Sequence, residues 1–150
     1  MRGVTISCQP GVAPAGAVAL RRRVFIEEQG VPEAEELDGK DAERTHFLAR
    51  DASGRPIGCA CLRPYGAQHK VERVAVLPES RGTGLGRDLM SAVEAHAREI
   101  GARELVLHAQ AAVVSFYEKL GWTSAGPRFF EAGIEHQKMG KQLSPEGGRA

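Results

Sequence analysis

The chain has 150 residues, 20 of them basic and 19 acidic, for a formal charge of +1. That length suits one domain whose core needs no metal or disulfide staple, and the near-cancelled charge provides no summed field to draw it onto nucleic acid or an acidic membrane. With aromatic residues at 5% and only the short Arg21–Arg23 basic run, a nucleic-acid module has little support.

Three cysteines, Cys8, Cys59 and Cys61, cannot all pair internally. Cys59 and Cys61 would leave one strand on the same side, which suits buried thiols and a reducing cytoplasm. The start lacks a basic-then-apolar signal pattern and no apolar run nears the roughly 20 residues of a membrane helix, so a soluble protein is expected.

In chain order, Val4 to Cys8 alternates as a short strand, and Ala15 to Gln29 places Val18, Val24 and Phe25 at near-helical spacing before Gly30. Val31 to Asp41 is acidic, contains Pro32 and Gly39, and reads as an irregular or briefly helical segment able to cover a site. His46 to Asp51 and Pro56 to Arg63 form a hairpin about Ser53-Gly54. Lys70 to Pro78 reads as a buried strand. The strongest helix follows the glycines at 82, 84 and 86, with a stripe of Leu85, Leu89, Val93, Ala97 and Ile100 closed by Gly101. Glu104 to Ala109 is a strand, Val113 to Leu120 a short helix, and Arg128 to Glu131 with Ile134 to Met139 a last pair of strands. Hairpins followed by strand-helix-strand-helix-strand imply an α+β fold over residues 1–143, with a parallel pair flanking the central helix and a flexible tail over 144–150.

Chemistry begins at RVAVLPESRGTGLGRDLM, where a strand stops at Pro78 and a glycine-rich loop runs into a helix. Glycines allow positive φ and bring backbone N–H groups together, and the helix N-terminus adds partial positive charge, so the segment outlines an anion site. Arg81 and Arg87 lie nearby. An isolated loop of this kind is more often a flexible surface turn before an ordinary helix. A Walker loop is excluded because Arg87-Asp88 stands where Lys-Ser or Lys-Thr is needed. A dinucleotide fingerprint wants an acid at the end of the next strand, whereas Glu104 precedes that strand and His108 lies near its far end.

Arg81-Gly82-Thr83-Gly84-Leu85-Gly86 matches the [Q/R]-x-x-G-x-[G/A] signature of the GNAT superfamily of N-acyltransferases, and Phe116 to Trp122, FYEKLGW, resembles its second signature. RRRVFIEEQGVPEAEELDGKD, His46, ERVAV, LHAQ and GIEHQKM extend the resemblance to the ElaA-like branch. It implies a GNAT fold, a mixed and mostly antiparallel sheet of six to seven strands with a parallel pair splayed around acetyl-CoA, and transfer of an acetyl group to a primary amine in a ternary complex without metal. It further implies that coenzyme A lies along Val74, Ala75 and Val76 and on Arg81, Gly82, Thr83, Gly84, Leu85, Gly86 and Arg87.

Direct transfer needs a positioned amine, a route for its proton, a donor to the carbonyl oxygen and an acid for the leaving thiolate. A backbone N–H near Val76 suits the oxyanion. Tyr117 resembles the family's thiolate acid, although its position also reads as core-facing helix. Glu72 is the first candidate for general base, since a partly buried carboxylate can gain basicity, against the alternative of an ion pair with an Arg. His108 is the second base, or else a hydrogen-bonded structural residue.

On the acceptor side, Glu27, Glu28 and Gln29, followed by Glu33, Glu35, Glu36, Asp38 and Asp41, either attract a cationic amine or form solvated surface. Gln110 and His136 either line the acceptor pocket or satisfy backbone groups. His46, His69 and His96 are structural or exposed, and Cys59, Cys61 and His69 are too few for zinc. Arg21-x-x-Val24-Phe25 followed by Asp38-x-x-Asp41 resembles acyl-homoserine-lactone synthases, from which this chain departs in length and in its full loop. A non-catalytic acyl-CoA sensor is the alternative to an enzyme, and analogy allows a homodimer.

Overall fold

Alternation at the start of the chain forms an edge strand, and the computed structural model, which describes residues 3–144, sets it at one end of a single sheet. The strands are β1 (Thr5–Pro10), β2 (Thr45–Arg50), β3 (Pro56–Tyr65), β4 (Gln68–Val76), β5 (Glu104–Gln110), β6 (Thr123–Ser124), β7 (Phe129–Glu131) and β8 (Ile134–Gln142). Their order is β1-β2-β3-β4-β5-β8-β6, with β7 on β8 beside that path. β4 and β5 pair in parallel and the remaining neighbours antiparallel, the mixed, mostly antiparallel sheet that the resemblance implied. The eight strands exceed the expected six to seven by β6, a two-residue strand too short to show any periodicity. Of the expected tail, residues 145–150 lie outside the described residues.

The helices are α1 (Ala17–Arg21), α2 (Glu33–Glu36), α3 (Leu85–Glu99) and α4 (Val114–Lys119). Leu85, Leu89, Val93 and Ala97 of α3 are buried against the sheet, each large side chain contributing about 1.5–3 kcal/mol by leaving water. β3 comes close beneath them because residue 58 is glycine: a Cβ there would stand 3.0 Å from Leu89 Cδ1 and 3.1 Å from Leu85 Cδ2. Ile100, expected in the same stripe, is 50% exposed, because the helix stops at Glu99 and the Ala102 N–H turns back to the Ala97 carbonyl at 2.9 Å.

The helix expected over Ala15 to Gln29 divides. After α1 the chain widens into a π-helical stretch, Arg22–Glu28, closed by the Gln29 N–H on the Val24 carbonyl at 3.2 Å. Such wide turns are frequent at functional sites. The three consecutive arginines go separate ways, Arg22 to Glu33 and Arg23 to Glu79 at the surface, while Arg21 is only 1% exposed.

Arg21 anchors a network of charges taken out of water. Its Nε lies 2.5 Å from Glu36 Oε1 and its Nη1 2.9 Å from Asp41 Oδ1. Asp41 and Asp38 also face Arg44, which is fully buried and reaches Glu72 at 3.1 Å. Arg73 closes the ring: its Nε sits 2.6 Å from Glu36 Oε2, too poorly aligned for a hydrogen bond but near enough for a charge pair, and its Nη2 lies 3.2 Å from Asp38. Glu36 was expected on a solvated or amine-attracting surface and is instead 2% exposed, because two guanidiniums compensate its charge there.

Arg73 itself lies in a bulge of β4. Pairing with β3 shifts between Cys59↔Ala75 and Cys61↔Glu72, and Arg73 takes φ of 55°, unusual for a side chain larger than Asn. Replacing Glu36 by Ala leaves Arg21 and Arg73 buried without it, and urea unfolding should show a loss of about 3–5 kcal/mol. A loss below about 1 kcal/mol, the value of a surface pair, would show that the network does not hold this segment.

Candidate active site

Parallel pairing of β4 and β5 covers His69↔Leu105, Lys70↔Val106 and Val71↔Leu107 and then ends, although β4 runs on to Val76 and β5 to Gln110. The strands separate past the Arg73 bulge, and a cleft of about 1040 Å³ opens between them. Its walls come from the π-helical stretch, α2, β4, the loop before α3, the end of β5, α4 and the β7–β8 hairpin.

At the α3 end, the amides from Gly82 to Arg87 donate to no carbonyl or side chain among the described hydrogen bonds, and the Asp88 N–H is the first to reach back, to the Gly84 carbonyl at 3.1 Å. Gly84 caps the helix at φ of 87°, a left-handed conformation that costs other residues about 1–2 kcal/mol. Val74, Ala75, Val76, Arg81, Gly82, Gly84, Leu85, Gly86 and Arg87 line the cleft. Thr83 does not; its hydroxyl donates to the Ser80 carbonyl at 2.6 Å and braces the loop from behind. Gly86 has a packing role that its place in the motif did not reveal. A Cβ there would stand 3.1 Å from the Phe116 ring, so its absence lets α4 come down on the start of α3 and brings Tyr117 to the cleft.

Arg81 differs from the expectation of a cation open to phosphate. Both terminal nitrogens bind Glu28 at 2.8 Å and its Nε donates to the Val76 carbonyl at 3.0 Å, so it ties the π-helical stretch to the loop before α3. The Glu28 carboxylate, expected to attract an amine, is engaged by the same contact, and the hydrogen bond from Arg81 holds it below its ordinary pKa. Glu27 is exposed and outside the cleft lining. Gln29 and Gln110 do line the cleft and meet, Gln110 Nε2 donating to Gln29 Oε1 at 2.8 Å, a bridge between the π-helical stretch and the end of β5.

The three candidate catalytic groups all line the cleft, in different states. Tyr117 is 6% exposed, set edge-on to Phe116 and Trp122, and burial pushes its phenol pKa up, which keeps it protonated. Glu72 takes the ion-pair alternative, with Arg44 and Arg63 on its carboxylate, rather than the basicity that burial alone would give it. Burial does raise its pKa, but the hydrogen bond from Arg63 and the charges of Arg44 and Lys70 outweigh it and leave the carboxyl at about 2. An acid that weak in proton affinity is a poor base at neutral pH.

His108 lies on β5 where the strands part, its Nδ1 3.0 Å from Glu131 Oε1 on β7. That hydrogen bond holds the Glu131 carboxyl below its ordinary pKa, so the carboxylate accepts and Nδ1 carries the hydrogen. In neutral His108 the lone pair is then on Nε2. Phe129 stands edge-on to His108 at 5.1 Å and stacks on His136, whose Nδ1 lies 2.7 Å from the Ile134 carbonyl. His136 thus both lines the cleft and satisfies a backbone group. Sequence reasoning missed Lys70, Arg73 and Glu131, which only strand order brings to the cleft.

Since the folded pKa of Glu72 lies below the ordinary 4.5, its stabilisation is complete above that pH and is lost as pH falls toward 2. Glu72→Gln should therefore cost about 2–3 kcal/mol at pH 7, and the gap from the unsubstituted protein should close as pH drops through that window, as followed by chemical unfolding at several pH values. A gap independent of pH would show that the carboxylate charge is not what stabilises.

Against known proteins, residues 10–143 match the acetyltransferase (GNAT) domain family. YjcF of Bacillus subtilis, an uncharacterized N-acetyltransferase, is 36% identical over 126 residues, 83% of this chain and 89% of its own. Among solved structures, Escherichia coli ElaA superposes with a TM-score of 0.80 at 23% identity, covering 92% of this chain and 99% of its own. A GNAT acetyltransferase from Elizabethkingia anophelis, solved with acetyl-CoA bound, does so at 0.73 and 20%, covering 95% and 100%. A family match across nearly the whole sheet, joined to the parted parallel strands and the glycine loop, identifies the chain as a member of the GNAT family and an acyltransferase.

Proposed function

We propose that the protein transfers the acetyl group of acetyl-CoA to a primary amine by direct attack in a ternary complex. The observation that carries this is the open seam between β4 and β5, which joins an unpaired strand edge, a run of undonated amides at a helix N-terminus, a protonated phenol and a carboxylate-held imidazole in one cleft. Acetyl-CoA supplies an activated thioester, and each remaining requirement falls to a residue of the chain. The amides of Gly82 to Arg87 receive the pyrophosphate, favoured by the helix dipole. The edge of β4 from Val74 to Val76 pairs with the pantetheine amides as an added strand would.

His108 Nε2 takes the proton of the attacking amine, and Glu131 holds the ring in the tautomer that leaves this nitrogen bare. The nitrogen–carbon bond forms as the carbonyl oxygen gains charge against a main-chain N–H near Val76, the carbon–sulfur bond then breaks, and Tyr117 returns a proton to the sulfur. Glu72 serves instead as the counter-ion of the cations around it. The unpaired cysteines, with the Cys61 thiol pushed by burial up to about 12, fit a reducing cytoplasm.

Calorimetry at low salt should detect coenzyme A binding; a folded protein that binds none would remove the basis of the assignment. Release of thiol from acetyl-CoA in the presence of amines tests turnover, and binding without turnover for any amine would leave a cofactor-binding module instead. Tyr117→Phe keeps the ring packing and should lower kcat about 10²-fold with coenzyme A affinity nearly intact, as should His108→Gln. An unchanged kcat in a variant whose chemical step is shown to limit the rate would take that residue out of the mechanism.

A further inference from the structure

The acids of the α2 segment, expected to draw in a cationic amine, are occupied by cations of the chain. Glu36 faces Arg21 and Arg73, Asp38 faces Arg44 and Arg73, and Asp41 faces Arg21 and Arg44. Glu35 alone on this wall has no ion pair among those described, and it sits at the exposed rim.

At the floor of the cleft the balance reverses. Glu72 faces Arg44 Nε at 3.1 Å, Arg63 Nε at 2.6 Å and Lys70 Nζ at 3.3 Å. Arg44 has Asp38 and Asp41 besides, whereas among the described ion pairs Arg63 and Lys70 meet only Glu72, with Glu43 and Glu131 acting on them from further away. Both cations also stand 5.2 Å from the Tyr65 ring centroid, which steadies them without neutralising them. The Lys70 side chain is 11% exposed and lines the cleft, so an ammonium that shares its ion-pair carboxylate with two guanidiniums faces the space where an acceptor must enter.

The candidate base adjoins it. Lys70 pairs with Val106, and His108 is two residues further along β5 on the same face. Sheet geometry then separates the two Cα atoms by about 8 Å, a gap that a molecule carrying an amine and an anion on one carbon can span. The Lys70 charge also acts on Glu131, the partner of His108.

We propose that the acceptor is a free α-amino acid, whose carboxylate is taken by Lys70 with Arg63 behind it while the α-amine faces His108. This rests on the acetyl-transfer reading above. A diamine in the same place brings a second cation against Lys70 and is disfavoured.

The test compares kcat/KM for an amino acid, its primary amide and its decarboxylated amine, using phenylalanine and lysine as parent compounds. The amide is the informative control, because its amine loses a proton more readily than that of the acid; if availability of the free amine governed the rate, the amide would win. The acid is expected to exceed both by about tenfold or more, the value of a hydrogen-bonded charge, expressed mainly in KM. Lys70→Gln should shrink that ratio. Amide or diamine used as well as the acid overturns the acceptor class while leaving acetyl transfer intact, and the unsubstituted protein decides this whether or not the variant folds. No turnover with any of the compounds, with coenzyme A still bound, overturns both readings.

Discussion

Charges withdrawn from water around Arg73 are the constraint on which the cleft depends. Taking a guanidinium or a carboxylate out of water costs several kcal/mol, and only close partners offset it. Arg73 satisfies that demand through Glu36 and Asp38, both on the segment between the first helices and β2, so the segment and the bulge stand or fall together. The bulge displaces the second half of β4 from the line that pairing with β5 requires. Without it, a parallel ladder would have no evident reason to stop at Val71.

The opening divides into two environments. Toward α3 the walls offer backbone N–H groups and small or apolar side chains, which suits a ligand that is mostly chain and phosphate. Toward β7 and α2 they offer ionised groups and two imidazoles. Arg81 and the glutamine pair join the halves, since each links the π-helical stretch to an element on the far side. The loop before α3 and the wall toward β5 are therefore tied to one another through the π-helical stretch.

Much of this was legible from residue order. The stripe of α3, the stop at Pro78 and the glycine loop announce themselves over a few consecutive positions, and so do the hairpin and both signature motifs. The failures share a cause. Glu72 read as a possible base because its alternation gives burial but not neighbours, and Arg44, Arg63 and Lys70 reach it from three different strands or their ends. Glu131, isolated in a three-residue strand, meets His108 only because β7 folds onto β8 and β8 onto β5. Arg81 carried a motif and so suggested an open cation, whereas Glu28, 53 positions earlier, had already claimed it. Periodicity reports which face a residue occupies; the company it keeps there is set by topology.

The parted strands have one more consequence, for solubility rather than catalysis. A strand with unpaired main-chain groups normally templates aggregation when it lies at the rim of a sheet. Here the bare stretch of β4 is enclosed, with the loop before α3 on one side and the bridge from Gln29 to Gln110 on another. A neighbouring molecule cannot slide an edge against it laterally, so the chain can keep an unsatisfied strand ready for a slender ligand without exposing it to its own kind.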